Sequence, residues 1–254
     1  MDDLTEGRVR APASAHAAPP ALPWLVADVG GTNARFGWVS TPGGAVEHVA
    51  TLPTADFAGP NDAARAYLDG LAGTLGPRAA APRQAAWAIA TAVDRQVIRL
   101  TNSNWHFVPQ ALQATLGVQR LTLLNDFEAL ALSLPRLTAA QLRPHGAMPV
   151  PEGTLAVIGP GTGLGVAGVV QTRHGWVALP GEGGHATLSA ADDFEASLLQ
   201  QVRRHHAHVS AERLLSGIGL PVLHGAVCRV LGLPLVERSA QDIVALGLDG
   251  SDVA

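Results

Sequence analysis

Asp126 is the residue of this chain best placed to take a proton from a bound hydroxyl. It follows Asn125 where the apolar run Leu121-Thr122-Leu123-Leu124, which reads as a buried strand, gives way to a helical pattern over 127–134. In α/β sheets that strand-end edge is where ligand-contacting residues collect. A phosphoryl acceptor hydroxyl needs a positioned carboxylate to receive its proton. The same aspartate can instead be an N-cap that satisfies the first amides of the following helix, and both readings stand. A second acid and an imidazole lie in Pro180-Gly181-Glu182-Gly183-Gly184-His185, where the glycines would let a sugar ring approach the backbone while Glu182 and His185 grip hydroxyls. A loop carrying two solvated polar residues accounts for that composition as well. Glu212 follows Ser210, a good N-cap type, so it can simply complement a helix dipole.

Two glycine-rich turns, each ending an apolar strand, could hold phosphates. Trp24-Leu25-Val26-Ala27 leads into Asp28-Val29-Gly30-Gly31-Thr32-Asn33, and the chain resumes as a strand at Arg35-Phe36-Gly37-Trp38-Val39. Leu155-Ala156-Val157-Ile158 leads into Gly159-Pro160-Gly161-Thr162-Gly163-Leu164-Gly165, followed by a strand over 166–171. Such turns expose backbone N–H groups with no Cβ to hold an anion away, although an ordinary tight hairpin has the same composition. Asp28 adds information. A carboxylate beside a phosphate cradle repels the anion unless a cation intervenes, so Asp28 implies Mg²⁺, bound directly or through water. Gly163-Leu164-Gly165-Val166-Ala167-Gly168 also fits the dinucleotide fingerprint, with Glu182 near the expected acidic position. That fingerprint must open a helix, and the β-branched run that follows continues as a strand, which argues against a nicotinamide dehydrogenase.

The elements that must carry these residues alternate in type. Helical spacing covers 61–75 and 109–116, the latter opened by Pro109, and 84–91 reads as a buried strand. Residues 172–175, Thr-Arg-His-Gly, join strands over 166–171 and 176–179 in a hairpin. Pro135, Pro144, Pro149 and Pro151 crowd a segment that is either a crossover between lobes or a loop around a short helix. The rest is helical over 192–204, 211–215, 221–231 and 239–246. Mixed strands and helices in this order indicate an α/β protein with two lobes.

Composition removes several classes of function. All 17 basic residues are arginine, so P-loop lysines, Schiff-base aldolases and pyridoxal enzymes are excluded. The net charge of −4 and the lack of a basic cluster beyond Arg203-Arg204 argue against nucleic acid. Hydrophobic residues make up 47% of the chain, yet no apolar run approaches the ~18 residues a bilayer span needs, so no membrane role is expected. Cys228 stands alone and Met1-Asp2-Asp3 lacks the basic start of a secretory signal, which together suit a reducing cytoplasm. His205, His206 and His208 resemble a metal cluster but fit a solvated helix end better. The motifs HExxH, GxSxG and CxxC do not occur.

At the two turns the sequence resembles the bacterial glucokinases. Asp28-Val29-Gly30-Gly31-Thr32-Asn33-Ala34-Arg35 and Gly161-Thr162-Gly163-Leu164-Gly165 look like that family's phosphate motifs. Thr101-Asn102, Asn125-Asp126-Phe127, Leu179-Pro180-Gly181-Glu182-Gly183-Gly184-His185 and the run from His208 to Gly217 follow in the family's order and approximate spacing. The resemblance implies the two-lobed hexokinase and actin-like (ribonuclease H-like) α/β fold, with glucose in the cleft and Mg·ATP spanning it. It implies that Asp126 is the base for the 6-hydroxyl and that Asn102, Asn125, Asp126, Glu182, His185 and Glu212 bind glucose. It further implies that Ala27, Asp28, Val29, Gly30, Gly31, Thr32, Gly161, Thr162 and Gly163 hold the nucleotide, and that the chain forms a homodimer. The cysteine cluster of the related ROK kinases is absent. On this reading residues 1–21 are a disordered Ala/Pro-rich tail, 22–136 a smaller lobe with the first phosphate motif and the catalytic aspartate, and 137–254 a larger lobe. Family members continue further, with an adenosine-binding segment, so the second lobe is expected to be incomplete at the C-terminus. The alternative to a glucokinase is then an inactive fragment that keeps sugar binding without full nucleotide binding.

Overall fold

The computed structural model describes residues 21–76, 81–100, 103–147, 150 and 152–251, so the first twenty residues of the expected tail and Asn102 lie outside the described residues. Strands β1 (Trp24–Val29), β2 (Asn33–Val39) and β3 (Glu47–Pro53) run antiparallel to their neighbours, and β4 (Gln84–Ile89) and β7 (Arg120–Asn125) add to the other side of β1 in parallel. The five-stranded order is β3-β2-β1-β4-β7. Between β4 and β7 lie the short pair β5 (Ile98–Arg99) and β6 (His106–Phe107).

Alternation assigns the faces of this sheet. Leu25 and Val29 of β1, Phe36 of β2 and Ala85, Trp87 and Ile89 of β4 are buried on one face with α1 (Pro60–Leu75) and α2 (Pro109–Leu116). Helix α1 contributes Ala63, Ala64, Tyr67 and Leu71, and α2 contributes Leu112 and Leu116, at the helical spacing that made both legible in the sequence. Phe36 stacks on Tyr67 at 5.5 Å and meets the edge of Trp87 at 5.6 Å. Burial pushes the Tyr67 hydroxyl up to about 12, and it donates to the His48 carbonyl at 3.0 Å. Proline opens each helix where no amide partner is needed, and Gly117, in the left-handed region at φ +65, ends α2.

Helix α3 (Asp126–Ser133) leaves β7 and packs on a second sheet. That sheet is antiparallel, in the order β10-β9-β8, from β8 (Thr154–Pro160), β9 (Leu164–Thr172) and β10 (Gly175–Leu179). Ala131 is buried with Ala167 and Val169, and Phe127, Leu132, Leu155, Val157 and Trp176 close around them. The described part of the proline-rich segment holds two single 3₁₀ turns, Leu134–Arg136 and Ala139–Gln141, while Pro149 and Pro151 lie outside the described residues. Helices α4 (Asp193–Arg203), α5 (Ala211–Leu214), α6 (Leu220–Leu231) and α7 (Ala240–Asp249) complete the described chain. Leu198, Leu199, Val202, Leu214 and Ala226 of α4, α5 and α6 form a core with Val209, and α7 buries no residue. Among the described residues no helix is long and apolar enough to cross a membrane.

Candidate functional site

Parallel pairing brings Val29, Ile89 and Asn125 side by side, so the first glycine turn and Asn125-Asp126 emerge from the same end of one sheet. Asn125 holds the N-cap position of the helix that begins there, one residue before the Asp126 of the capping alternative, and both side chains accept its first free amide. Asn125 Oδ1 accepts from the Phe127 amide at 3.0 Å, and Glu128 reaches back toward the Asn125 amide at 3.4 Å. Asn125 Nδ2 also donates to the Thr91 carbonyl at 3.3 Å, tying the end of β7 to the chain leaving β4. Asp126 shares in this arrangement, since its Oδ1 also takes the Phe127 amide, at 2.9 Å.

Burial raises the pKa of Asp126 above the usual carboxylate range, and the negative charge of Asp28 raises it further. The Phe127 amide and Asn125 pull in the other direction without cancelling the rise. Asp28 itself is well exposed, with Arg35 at 3.7 Å. The two carboxylates therefore lie near enough at this end of the sheet for the charge of one to act on the other.

The first turn is held by a residue that carried no sequence signal. Thr54, 5% exposed, donates its hydroxyl to the Gly31 carbonyl at 2.6 Å and its amide to the Thr32 carbonyl at 2.9 Å. Within the turn, Gly30 N–H donates to the Asn33 carbonyl at 2.9 Å. A cavity of about 340 Å³ opens beside it, lined by Gly31, Thr54, Phe57, Ser103, Asn104 and Trp105.

The second turn is a β8–β9 hairpin, so the dinucleotide-like glycines open a strand, as the sequence argument required. Two of its glycines are needed for close approach. A Cβ on Gly159 or Gly165 would run into the Phe127 ring, which α3 lays across both strands. Gly163 makes room for Glu212: a Cβ there would meet Oε2, the oxygen that accepts the Leu164 amide at 2.9 Å. Gly217 and Ile218 donate their amides to the Gly161 and Thr162 carbonyls at 2.8 and 3.4 Å.

Glu182, His185 and Glu212 come together. His185 Nε2 lies 3.9 Å from Glu182 Oε2, and Nδ1 lies 3.7 Å from Glu212 Oε1. Ser210 caps α5 by accepting the Arg213 amide at 3.2 Å, as expected, but the Glu212 side chain reaches the glycine turn instead of only facing the helix dipole. Glu182 and His185 are largely exposed, whereas the Glu212 side chain keeps 24% of its surface. No group of three or more His, Cys, Asp or Glu side chains able to hold a metal occurs among the described residues, so His205, His206 and His208 form no such centre. His208 instead meets the Thr187 hydroxyl at 3.0 Å.

Comparison with known proteins identifies the family. The family model described as Glucokinase matches residues 25–254. A glucokinase of Aromatoleum aromaticum is 44% identical over 233 residues, covering 90% of this chain and 68% of the relative. One of Chromobacterium violaceum is 42% identical over 235 residues, covering 92% and 66%. The chain therefore spans about two thirds of the length of these curated relatives. Among solved structures, a glucokinase from an Antarctic psychrotroph superposes with a TM-score of 0.80 at 34% identity, over 91% of this chain and 71% of that one. The fold is the α/β fold of hexokinase-like and actin-like sugar kinases. By family model and by relatives alike, the chain belongs to the Glucokinase family.

Proposed function

We propose that this chain transfers the γ-phosphoryl group of ATP to the 6-hydroxyl of glucose, with Asp126 as general base. The observation that carries the reading is the placement of Asp126. Its carboxylate stands at the end of the parallel strands, shares the Phe127 amide with the cap residue Asn125, is half-buried, and is raised in pKa so that it binds a proton more readily than an exposed aspartate. The names of the relatives supply the substrate and the reaction class.

In this reading the sugar lies among Asn125, Asp126, Glu182, His185 and Glu212, with Asn102 as a further ligand from outside the described residues. The phosphate chain lies along the Ala27–Thr32 backbone and the Gly161–Gly163 turn. The proton of the 6-hydroxyl passes to the Asp126 carboxylate as the oxygen forms its bond to the γ-phosphorus, and the bond from that phosphorus to the β-bridging oxygen breaks, releasing ADP. Asp28 would hold Mg²⁺, directly or through water, and the cation would offset charge on the phosphates. Glu182, His185 and Glu212 orient the ring, and closure of the lobes excludes water that would otherwise accept the phosphoryl group.

Glucose-dependent ADP release by the 254-residue chain tests the reading, alongside calorimetry with glucose and with Mg·ATP taken separately. Asp126→Asn should lower kcat by about 10²- to 10⁴-fold while glucose binding largely persists. Equal loss of binding and turnover would return Asp126 to a structural role. Glucose binding with neither nucleotide binding nor turnover would point to a sugar-binding protein.

A further inference from the structure

Glu212 uses its two carboxylate oxygens in different places. Oε2 accepts the Leu164 amide at 2.9 Å at the close of the second glycine turn, and Oε1 faces His185 at 3.7 Å on the sugar side. The backbone around it repeats the same division. On one side, Ala211 N–H donates to the Ala186 carbonyl at 3.1 Å, Leu188 N–H donates to the Val209 carbonyl at 3.0 Å, and Thr187 bridges Ser210. Gly217 and Ile218, on the other side, donate to the Gly161 and Thr162 carbonyls. Residues 209–218 thus form a strap from the chain just after His185 to the turn over 161–164.

The strap makes the Glu212 carboxylate consequential for both ligands. Leu164 is 8% exposed, so its amide depends on Oε2 for a partner, and losing that partner costs the turn its closing bond. The charge on Glu212 also lies against a turn that should receive phosphate oxygens, where it is repulsive unless a donor draws it elsewhere. A sugar hydroxyl donating to Oε1 would do both things at once: fix the carboxylate rotamer, and shift negative charge away from the turn.

We infer that Glu212 is a positioning residue that couples occupancy of the sugar side to the shape of the second phosphate turn through the Leu164 amide. This rests on the kinase reading above and adds to it a route by which glucose prepares the chain for nucleotide. Reciprocity then requires nucleotide to tighten glucose by the same factor.

Site-resolved amide exchange of Leu164, measured with and without glucose, tests the coupling without requiring turnover, and calorimetry records glucose binding on the same samples. In the unsubstituted chain, saturating glucose should slow Leu164 exchange about 5-fold or more, the low end of ordinary coupling. Glu212→Ala should exchange fast at Leu164 in both states. Glu212→Gln retains an acceptor oxygen, so it should restore much of the protection in the free chain while losing most of the response to glucose. Unchanged exchange at Trp87 certifies that each variant is folded, and if the alanine variant fails that check the glutamine variant decides alone. Glucose that binds without slowing Leu164, or a Glu212→Gln chain with the full response, overturns the coupling while leaving the kinase reading intact. Absence of any glucose binding to the unsubstituted chain overturns both.

Discussion

The two glycine turns have the same local plan, strand to turn to antiparallel strand, yet they are secured in opposite ways. The β1–β2 turn grows out of the centre of a five-stranded sheet whose inner face is closed by α1 and α2, and Thr54, a neighbour within the same lobe, bonds its carbonyls. The β8–β9 turn belongs to a three-stranded sheet covered on one face by α3. Its bonds come from Glu212, Gly217 and Ile218, roughly fifty residues along the chain. Where β1 is flanked by β4, β8 is the edge of its sheet among the described residues, and Ile158, Val177 and Leu179 stay 66%, 49% and 46% exposed. An anchor built into a closed core is fixed whether or not ligand is present, and an anchor held by a distant half-buried side chain can respond to one. The first turn thus suits a permanent phosphate contact and the second a conditional one.

Truncating one tryptophan in each sheet tests that contrast most severely. Trp87 is fully buried among Phe36, Ile89 and the α1 side chains, so Trp87→Ala should cost about 3–5 kcal/mol in denaturant unfolding. Trp176 only borders the second core, and Trp176→Ala should cost clearly less. Equal costs would mean that the second sheet is as tightly closed as the first.

Gly165→Ala probes the packing of α3 on the second sheet. Its new methyl would meet the Phe127 ring, which is fixed by the start of α3, and overpacking of this kind costs about 1–3 kcal/mol. Because Phe127 follows Asp126, the strain should also appear as a fall in kcat rather than in stability alone. Gly161→Ala is the control: open space surrounds that position, so stability should hold within about 0.5 kcal/mol. A smaller loss is expected from Thr54→Val, which removes the hydroxyl bond to Gly31 at a net cost of about 0.5–1.5 kcal/mol and should loosen the first turn without touching the second.

Much of this arrangement was legible in the sequence because its signals are local. Pro109 and the spacing of Leu112 and Leu116 gave α2 its bounds, and the β-branched run after Gly165 rejected a helix-opening dinucleotide motif correctly. What stayed hidden is long-range. Strand β3 is an exposed edge with little alternation, so its residues do not announce a strand until β2 pairs with them. Thr54 looks like any loop threonine until folding brings it against Gly31, and nothing near Glu212 in sequence indicates that Leu164 will need its carboxylate. The cap position is open for a subtler reason: Asn125 and Asp126 are both good cap types, and composition cannot say which of two adjacent residues takes the role until the end of β7 is fixed by its register with β4.

The smallest expected effect lies at the first turn, in the pH dependence of Asp126. Because burial and the Asp28 charge both raise its pKa, the folded chain holds this proton more tightly than the unfolded chain. Stability from this group is therefore greatest below the unfolded carboxylate value and declines as pH rises through the raised folded value. A general base must be ionised, so the acid limb of kcat/KM should fall above the pH of an ordinary aspartate. Asp28→Asn removes one of the two causes, so it should move that limb to lower pH, and on the proposed reading, in which Asp28 holds Mg²⁺, it should also lower the plateau. Because a cation at Asp28 would itself lower the pKa of Asp126, the limb is compared at low and at saturating Mg²⁺, and a downward shift present at low Mg²⁺ belongs to the Asp28 charge. If the limb does not move, Asp28 does not act on Asp126 through charge, and the first turn loses its claim to be electrically joined to the proposed base.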